Sequence, residues 1–311
     1  MSWLAWRQFR TQALLAAAAT AAIVVTLVLT RDRLARVAGT EDISTALDSL
    51  QLLGTALIGL PAFVGAFWGA PLIARELETG THRLVWTQSV TRGRWLAIKL
   101  AVAAVAAVAI AALFSATFTW WSVPLDQFGN RVGTANFGQR GVAPVAYALF
   151  ALALGTLMGA IIRRTLPAMA ATLAGFFVVR FTFQWVVRPR LRAPVIASRP
   201  SNEFGVQDGS SALNGWVLSS HPVDAAGRAV HDVYAGEFGR QMARVCGITI
   251  DSGSSEGERI ECINRLGLTD IVRLHPDNHF WGLQIREAII FTLLALILAG
   301  VTFWWIKRRI S

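Results

Sequence analysis

Ala70-Pro-Leu-Ile-Ala-Arg-Glu-Leu-Glu-Thr-Gly-Thr-His-Arg-Leu-Val-Trp-Thr-Gln-Ser-Val-Thr-Arg-Gly-Arg-Trp-Leu-Ala-Ile-Lys99 is a charged, glycine-punctuated stretch between two long apolar runs. The runs around it decide the fold class. About 20 apolar residues suffice for a helix to cross a hydrocarbon core of about 30 Å. We place such runs at residues 13–30, 52–73, 95–119, 144–162, 166–187 and 285–306. Lipid offers the backbone no hydrogen-bond partner, so these runs must be helical. The expectation is an all-α polytopic membrane protein with six transmembrane helices and a small extracellular α-rich domain between helices five and six.

Composition agrees. Of 311 residues, 54% are hydrophobic and 15% charged, against about a quarter charged in soluble chains. The formal charge is +10, yet residues 188–285 carry ten Arg against eleven Asp and Glu. The basic surplus therefore lies in and beside the apolar segments, which suits an anionic membrane surface and argues against a nucleic-acid-binding module. Arg7 and Arg10 before residues 13–30 resemble the start of a secretory leader. The run is long enough to span, and no persuasive cleavage site follows it, so it reads as a membrane helix.

Short loops give the orientation. A cytoplasmic N-terminus puts Arg7, Arg10, Arg75, Arg83, Arg92, Arg94, Lys99, Arg163, Arg164, Lys307, Arg308 and Arg309 inside, and Arg31, Arg33, Arg36, Arg131 and Arg140 outside. The positive-inside rule favours that choice, against the cluster that follows the first helix. The chain then divides into an interfacial helix at 1–12, helices one to five at 13–187 with an inner element at 74–94, an extracellular domain at 188–284, and helix six with a basic tail at 285–311. In the first segment Trp3, Trp6, Arg7 and Arg10 recur three to four apart, as in a helix lying at headgroup depth or in a plain positive flank.

Gly65–Gly69 and Gly155–Gly159 are both G-x-x-x-G, and Ala171 with Gly175 repeats the small-residue spacing that lets membrane helices approach closely. Cys246 and Cys262, the only cysteines, fall in the extracellular domain and are expected to pair there. Amphipathic periodicity at residues 231–245 suggests a helix in that domain. His275 and His279 have the spacing of two metal ligands on one helix face, but Pro276 intervenes, and a structural or interfacial role is the expectation.

Arg180 stands among Phe176, Phe177, Phe181 and Phe183, with Gln184 one turn on. A charge in hydrocarbon is costly, so Arg180 either faces a functional pathway or snorkels outward with cation–π help from the Phe rings. Phosphate-binding loops, H-E-x-x-H, G-x-S-x-G and paired C-x-x-C are missing from the sequence.

Within the opening stretch, Arg75, Glu76, Leu77, Glu78, Gly80, Thr81, Arg83 and Leu84 mix charge with apolar anchors. Gly80 suits the end of one short helix, Thr81 the cap of another, and Thr91 or Arg92 the start of the third span. By composition this is either a docking surface for another protein or a solvated juxtamembrane turn. Glu76-Leu-Glu-Thr-Gly-Thr-His-Arg-Leu84, followed by Thr91-Arg-Gly-Arg-Trp-Leu-Ala-Ile-Lys99, resembles the E-x-x-x-G-T-x-x-L … R-x-x-x-x-x-K stretch of type-2 ATP-binding-cassette (ABC) exporter permeases. Thr87-Gln88, Arg94-Trp95 and His275-Pro-x-x-His-Phe-Trp-x-x-Gln284 look like the variant common in actinobacteria.

The resemblance implies one membrane subunit of an exporter in a bacterial plasma membrane, with both termini cytoplasmic. Its partners would be a second permease subunit, forming a homodimer, two cytoplasmic ATPase subunits and membrane lipid. The chain would be no enzyme and bind no cofactor or metal, because ATP and Mg sit on the partner ATPase. Trp3, Trp6, Arg7 and Arg10 would be the connecting helix, and Arg75 to Leu84 the coupling helix. A hydrophobic or amphipathic substrate would pass along Phe63, Phe67, Trp68, Phe176, Arg180 and Gln184. The alternative is a membrane-anchored sensor or assembly protein whose extracellular domain binds a ligand or protein.

Overall fold

The computed structural model describes residues 2–37, 52, 54–55, 57–80, 91–128, 131–200, 215–230, 236–248 and 255–309. Two units emerge. The first comprises residues 1–126, 134–191 and 280–311, and the second residues 127–133 and 192–279.

The first unit is helical. Helix α1 runs Ser2–Val37. Helix α2, Leu60–Val64, continues through a π-helical turn, Gly65–Gly69, into α3, Ala70–Glu78. Then come α4, Arg92–Ser122, α5, Ala143–Ile162, and α6, Thr165–Thr182. A second π turn, Phe183–Val187, and a 3-10 turn, Arg188–Arg190, prolong α6.

Among the described residues four helices are long and apolar enough to cross a membrane: Arg92–Ser122, Ala143–Ile162, Thr165–Arg190 and Asp277–Arg309. They contain the expected third to sixth spans. The expected first span lies within α1. The described part of the second runs helical from Leu60 to Glu78. Trp3, Trp6, Arg7 and Arg10 occupy the first turns of α1 itself, with no break in helical structure before residue 13.

Helix α5 is the hub, buried on most of its faces. Its Gly155 faces Gly65 so closely that a Cβ on Gly155 would stand 2.1 Å from the Gly65 carbonyl oxygen. A Cβ on Gly65 would stand 2.5 Å from that of Ala151. The two G-x-x-x-G stretches are thus partners, and backbone contact between helices is possible because neither carries side chains there. Pro144 starts α5, where its missing N–H costs nothing. The aromatic core beside it is made by Tyr147, Phe150, Phe176, Phe183 and Phe291, the last from the C-terminal helix, Phe280–Arg309.

The second unit is not the α-rich domain expected from the sequence. Strands β1, Val195–Pro200, β2, Gly215–Val223, and β3, Thr269–Pro276, form an antiparallel sheet in the order β1-β3-β2. In β3 burial alternates, Val272 and Leu274 facing in and Ile271 and Arg273 lying outward, the period of a half-buried strand. Helices α7, Gly236–Cys246, and α8, Glu256–Arg265, accompany the sheet. Helix α7 matches the expected amphipathic segment from residue 236 onward. Ser255 and Glu258 cap α8 reciprocally.

Cys246 and Cys262 form the expected disulfide, Cα atoms 6.0 Å apart, beside a small core of Val230, Met242, Ile248 and Leu268. His275 and His279 are buried with Nδ1 atoms 3.3 Å apart, sharing a hydrogen bond. The final helix of the first unit, α9, is Phe280–Arg309. The longer segment of the second unit runs from Arg192 to His279, and residues 127–133 join it.

Candidate functional site

The charged end of α3 forms where the sequence suggests. Gly80 takes the left-handed φ of +74° just beyond it, and Thr91 caps α4 by accepting from the Arg94 amide at 3.3 Å. Thr81, Arg83 and Leu84 lie outside the described residues.

Glu76 and Glu78, two residues apart on a helix, point about 200° apart around it. Glu76 turns inward and pairs with Lys99 of α4, both side chains largely buried and the ammonium 5.0 Å from the Trp95 ring centroid. Glu78 turns the other way. Its Oε2 accepts from the Thr165 hydroxyl at 2.7 Å and the Thr165 amide at 3.0 Å, so it satisfies one of the free donors at the start of α6. Those bonds, the hydroxyl's first, hold the Glu78 carboxyl below the usual carboxylate range. Leu77 packs beside Ile73, Trp95 and Ile306.

Of the expected coupling residues, Glu76, Leu77 and Glu78 thus serve the chain's own helices, and the exposed Arg75 is directed outward. Lys99, placed on the inner side by the sequence, is the inward partner of Glu76.

A second constellation lies inside the bundle. Arg188 grips Glu287 of α9 with a two-pronged contact, Nε to Oε2 at 2.8 Å and Nη2 to Oε1 at 2.9 Å. Tyr147 of α5 donates its hydroxyl to Glu287. Arg180 lies 4.4 Å over the Tyr147 ring, with Nη1 3.9 Å from Glu287 Oε1. All four side chains are at most 1% exposed.

Arg180 therefore does not snorkel, and its cation–π partner is Tyr147 rather than the neighbouring phenylalanines. Within the described residues Arg180 Nη1 and Nη2, Arg188 Nη1 and Gln184 Oε1 have no hydrogen-bond partner. Nearby, Gln284 accepts from the Ala143 amide at 3.0 Å and donates to the Phe137 carbonyl at 2.7 Å.

Phe63, Phe67 and Trp68 belong elsewhere, to an apolar groove of about 420 Å³ also walled by Thr20 of α1, Phe114 of α4, Gln139, and Pro144 and Ala148 of α5. Phe176 is buried against Phe150. Of the six expected pathway residues, three thus line the groove, Phe176 lies in the aromatic core, Arg180 belongs to the charge cluster, and Gln184 is buried one turn beyond it in sequence. Glu287, Arg188 and Tyr147 escaped sequence reasoning. The available signal was Glu287 as the one acidic residue of the largely apolar final helix.

The family model described as ABC-2 membrane transporter related matches residues 1–188, from α1 to the arginine that holds Glu287. No curated protein and no solved structure matches the chain.

Proposed function

Because the chain belongs to the ABC-2 membrane transporter related family, we propose that it is the permease subunit of an exporter driven by a separate cytoplasmic ATPase. The observation that carries this reading is the fastening of α3. Its charged end is tied to α4 through Glu76 and Lys99 and to α6 through Glu78 and Thr165, while Arg75 faces outward. A force applied at Arg75 is therefore delivered to two membrane helices at once, which is what a coupling element requires.

In this reading ATP and Mg are bound by the ATPase, two permease subunits stand side by side with their termini in the cytoplasm, and a hydrophobic or amphipathic molecule moves outward. Arg75 is the group for the partner's surface. Glu76 and Glu78 transmit rather than dock.

The test is co-purification with the ATPase encoded beside this chain. The isolated chain should hydrolyse no ATP and the complex should. Arg75→Glu should reduce recovery of the complex or its substrate-stimulated hydrolysis by about tenfold, the scale of a lost charged contact. A chain that captures no ATPase, or a variant indistinguishable from wild type, would defeat the proposal.

A further inference from the structure

We infer that the cluster around Arg180 binds the anionic head of an amphipathic ligand whose apolar part occupies the adjoining groove; this deepens the permease reading and rests on it. The charges in the cluster do not balance. Arg180 and Arg188 contribute two positive charges and Glu287 one negative, all within 1% exposure. Both Glu287 oxygens are taken by the Arg188 fork and the Tyr147 hydroxyl.

Arg180 is left with a 3.9 Å approach to one oxygen and the face of a tyrosine ring. Three guanidinium nitrogens, two of Arg180 and one of Arg188, have no acceptor among the described residues. A buried guanidinium is stable only when paired and hydrogen-bonded. The missing component is thus a single anion with several acceptor oxygens, a phosphate, sulfate or carboxylate that suits the planar fork of arginine.

The groove supplies the rest of the ligand. A Cβ on Gly138 would stand 2.3 Å from Arg180 Nη2, so the guanidinium lies against that turn. The next residue, Gln139, is part of the groove wall, together with Ala148, the neighbour of Tyr147 on α5. Head site and groove thus flank the same first turns of α5.

Both also adjoin π-helical turns, Phe183–Val187 after Arg180 and Gly65–Gly69 carrying Phe67 and Trp68. Such turns are frequent at functional sites, where the helix changes register locally. Since the cluster is sealed in this conformation, the head enters when the end of α6 shifts across its π turn.

The anion can come from a single-chain amphiphile or from a bilayer phospholipid, and one experiment separates them. The full chain is placed in phosphatidylcholine nanodiscs, and equilibrium binding is measured for radiolabelled dodecyl phosphate, dodecyltrimethylammonium and dodecanol, which share one chain. A second set of discs contains phosphatidylglycerol. Dodecyl phosphate should bind at least about tenfold more tightly than the other two, and Arg180→Gln should erase that preference.

Displacement of dodecyl phosphate by phosphatidylglycerol assigns the site to a phospholipid, and undiminished binding assigns it to a single-chain ligand; either supports the inference. Equal binding of the three head groups by the wild-type chain overturns it, even if Arg180→Gln fails to fold. A preference that survives in a folded Arg180→Gln chain overturns it too. Because the isolated chain is used, this failure is distinct from failure to assemble with an ATPase.

Discussion

Glu287→Gln would leave Arg188 and Arg180 buried without a counter-charge, whereas Tyr147→Phe would remove one donor from a carboxylate that Arg188 still holds. Breaking a buried pair from one side costs about 3–5 kcal/mol, and a single hydrogen bond about 1 kcal/mol. Thermal unfolding in detergent should therefore place wild type highest, Tyr147→Phe slightly lower and Glu287→Gln far below. Equal midpoints for the two variants would contradict the central place given to the carboxylate. Arg180 was legible in the sequence because a charge among phenylalanines is conspicuous. Its surroundings were not, because Arg188 and Glu287 meet across 99 residues of chain and no local periodicity records such a meeting. The phenylalanines beside Arg180 were attractive partners in one dimension, but Phe177 and Phe181 stack on each other and Phe183 packs on Phe291.

At the scale of elements, the link between α3 and α6 depends on the ionised state of Glu78. Its carboxyl is held below the ordinary value of 4.5 by the Thr165 hydroxyl and amide. A depressed carboxyl contributes stability that is fully present above the ordinary value and is lost as pH falls through the folded-state value. Hydrogen exchange over the first turn of α6, corrected for intrinsic rates, should thus be steady from pH 7 to about 5 and rise in more acid solution. Glu78→Gln should show raised exchange throughout and little pH dependence; a wild-type profile in that variant would remove Glu78 from the link. Helices were the most legible elements, since an apolar run of span length leaves the backbone no other choice. The sheet was missed although Thr269–Pro276 alternates inward and outward residues, because the amphipathic stretch before it, now α7, suggested helix for the whole domain. The last helix begins at Phe280, five residues before the expected span, because Phe280 and Leu283 are buried within its first turn.

At the scale of the molecule, the two units draw on different sources of stability. The bundle has an aromatic core around α5, whereas the second unit has a five-residue buried cluster that includes Cys262. The Cys246–Cys262 bridge closes a loop of sequence separation 16, worth about 3 kcal/mol in the chain-entropy model. Reduction should open residues 236–265 to limited proteolysis while most of the far-ultraviolet helical signal persists. Resistance of that region after complete reduction would show that its core suffices without the bridge. The grip of Arg188 on Glu287 also imposes an order on biosynthesis. Arg180 and Arg188 leave the ribosome ahead of their common carboxylate, which follows 99 residues after Arg188. At about 5–20 residues per second the delay is on the order of 5 to 20 s. For that interval α6 carries two cations with no counter-charge from α9, so its final seat against α5 is taken only once the last helix has been made.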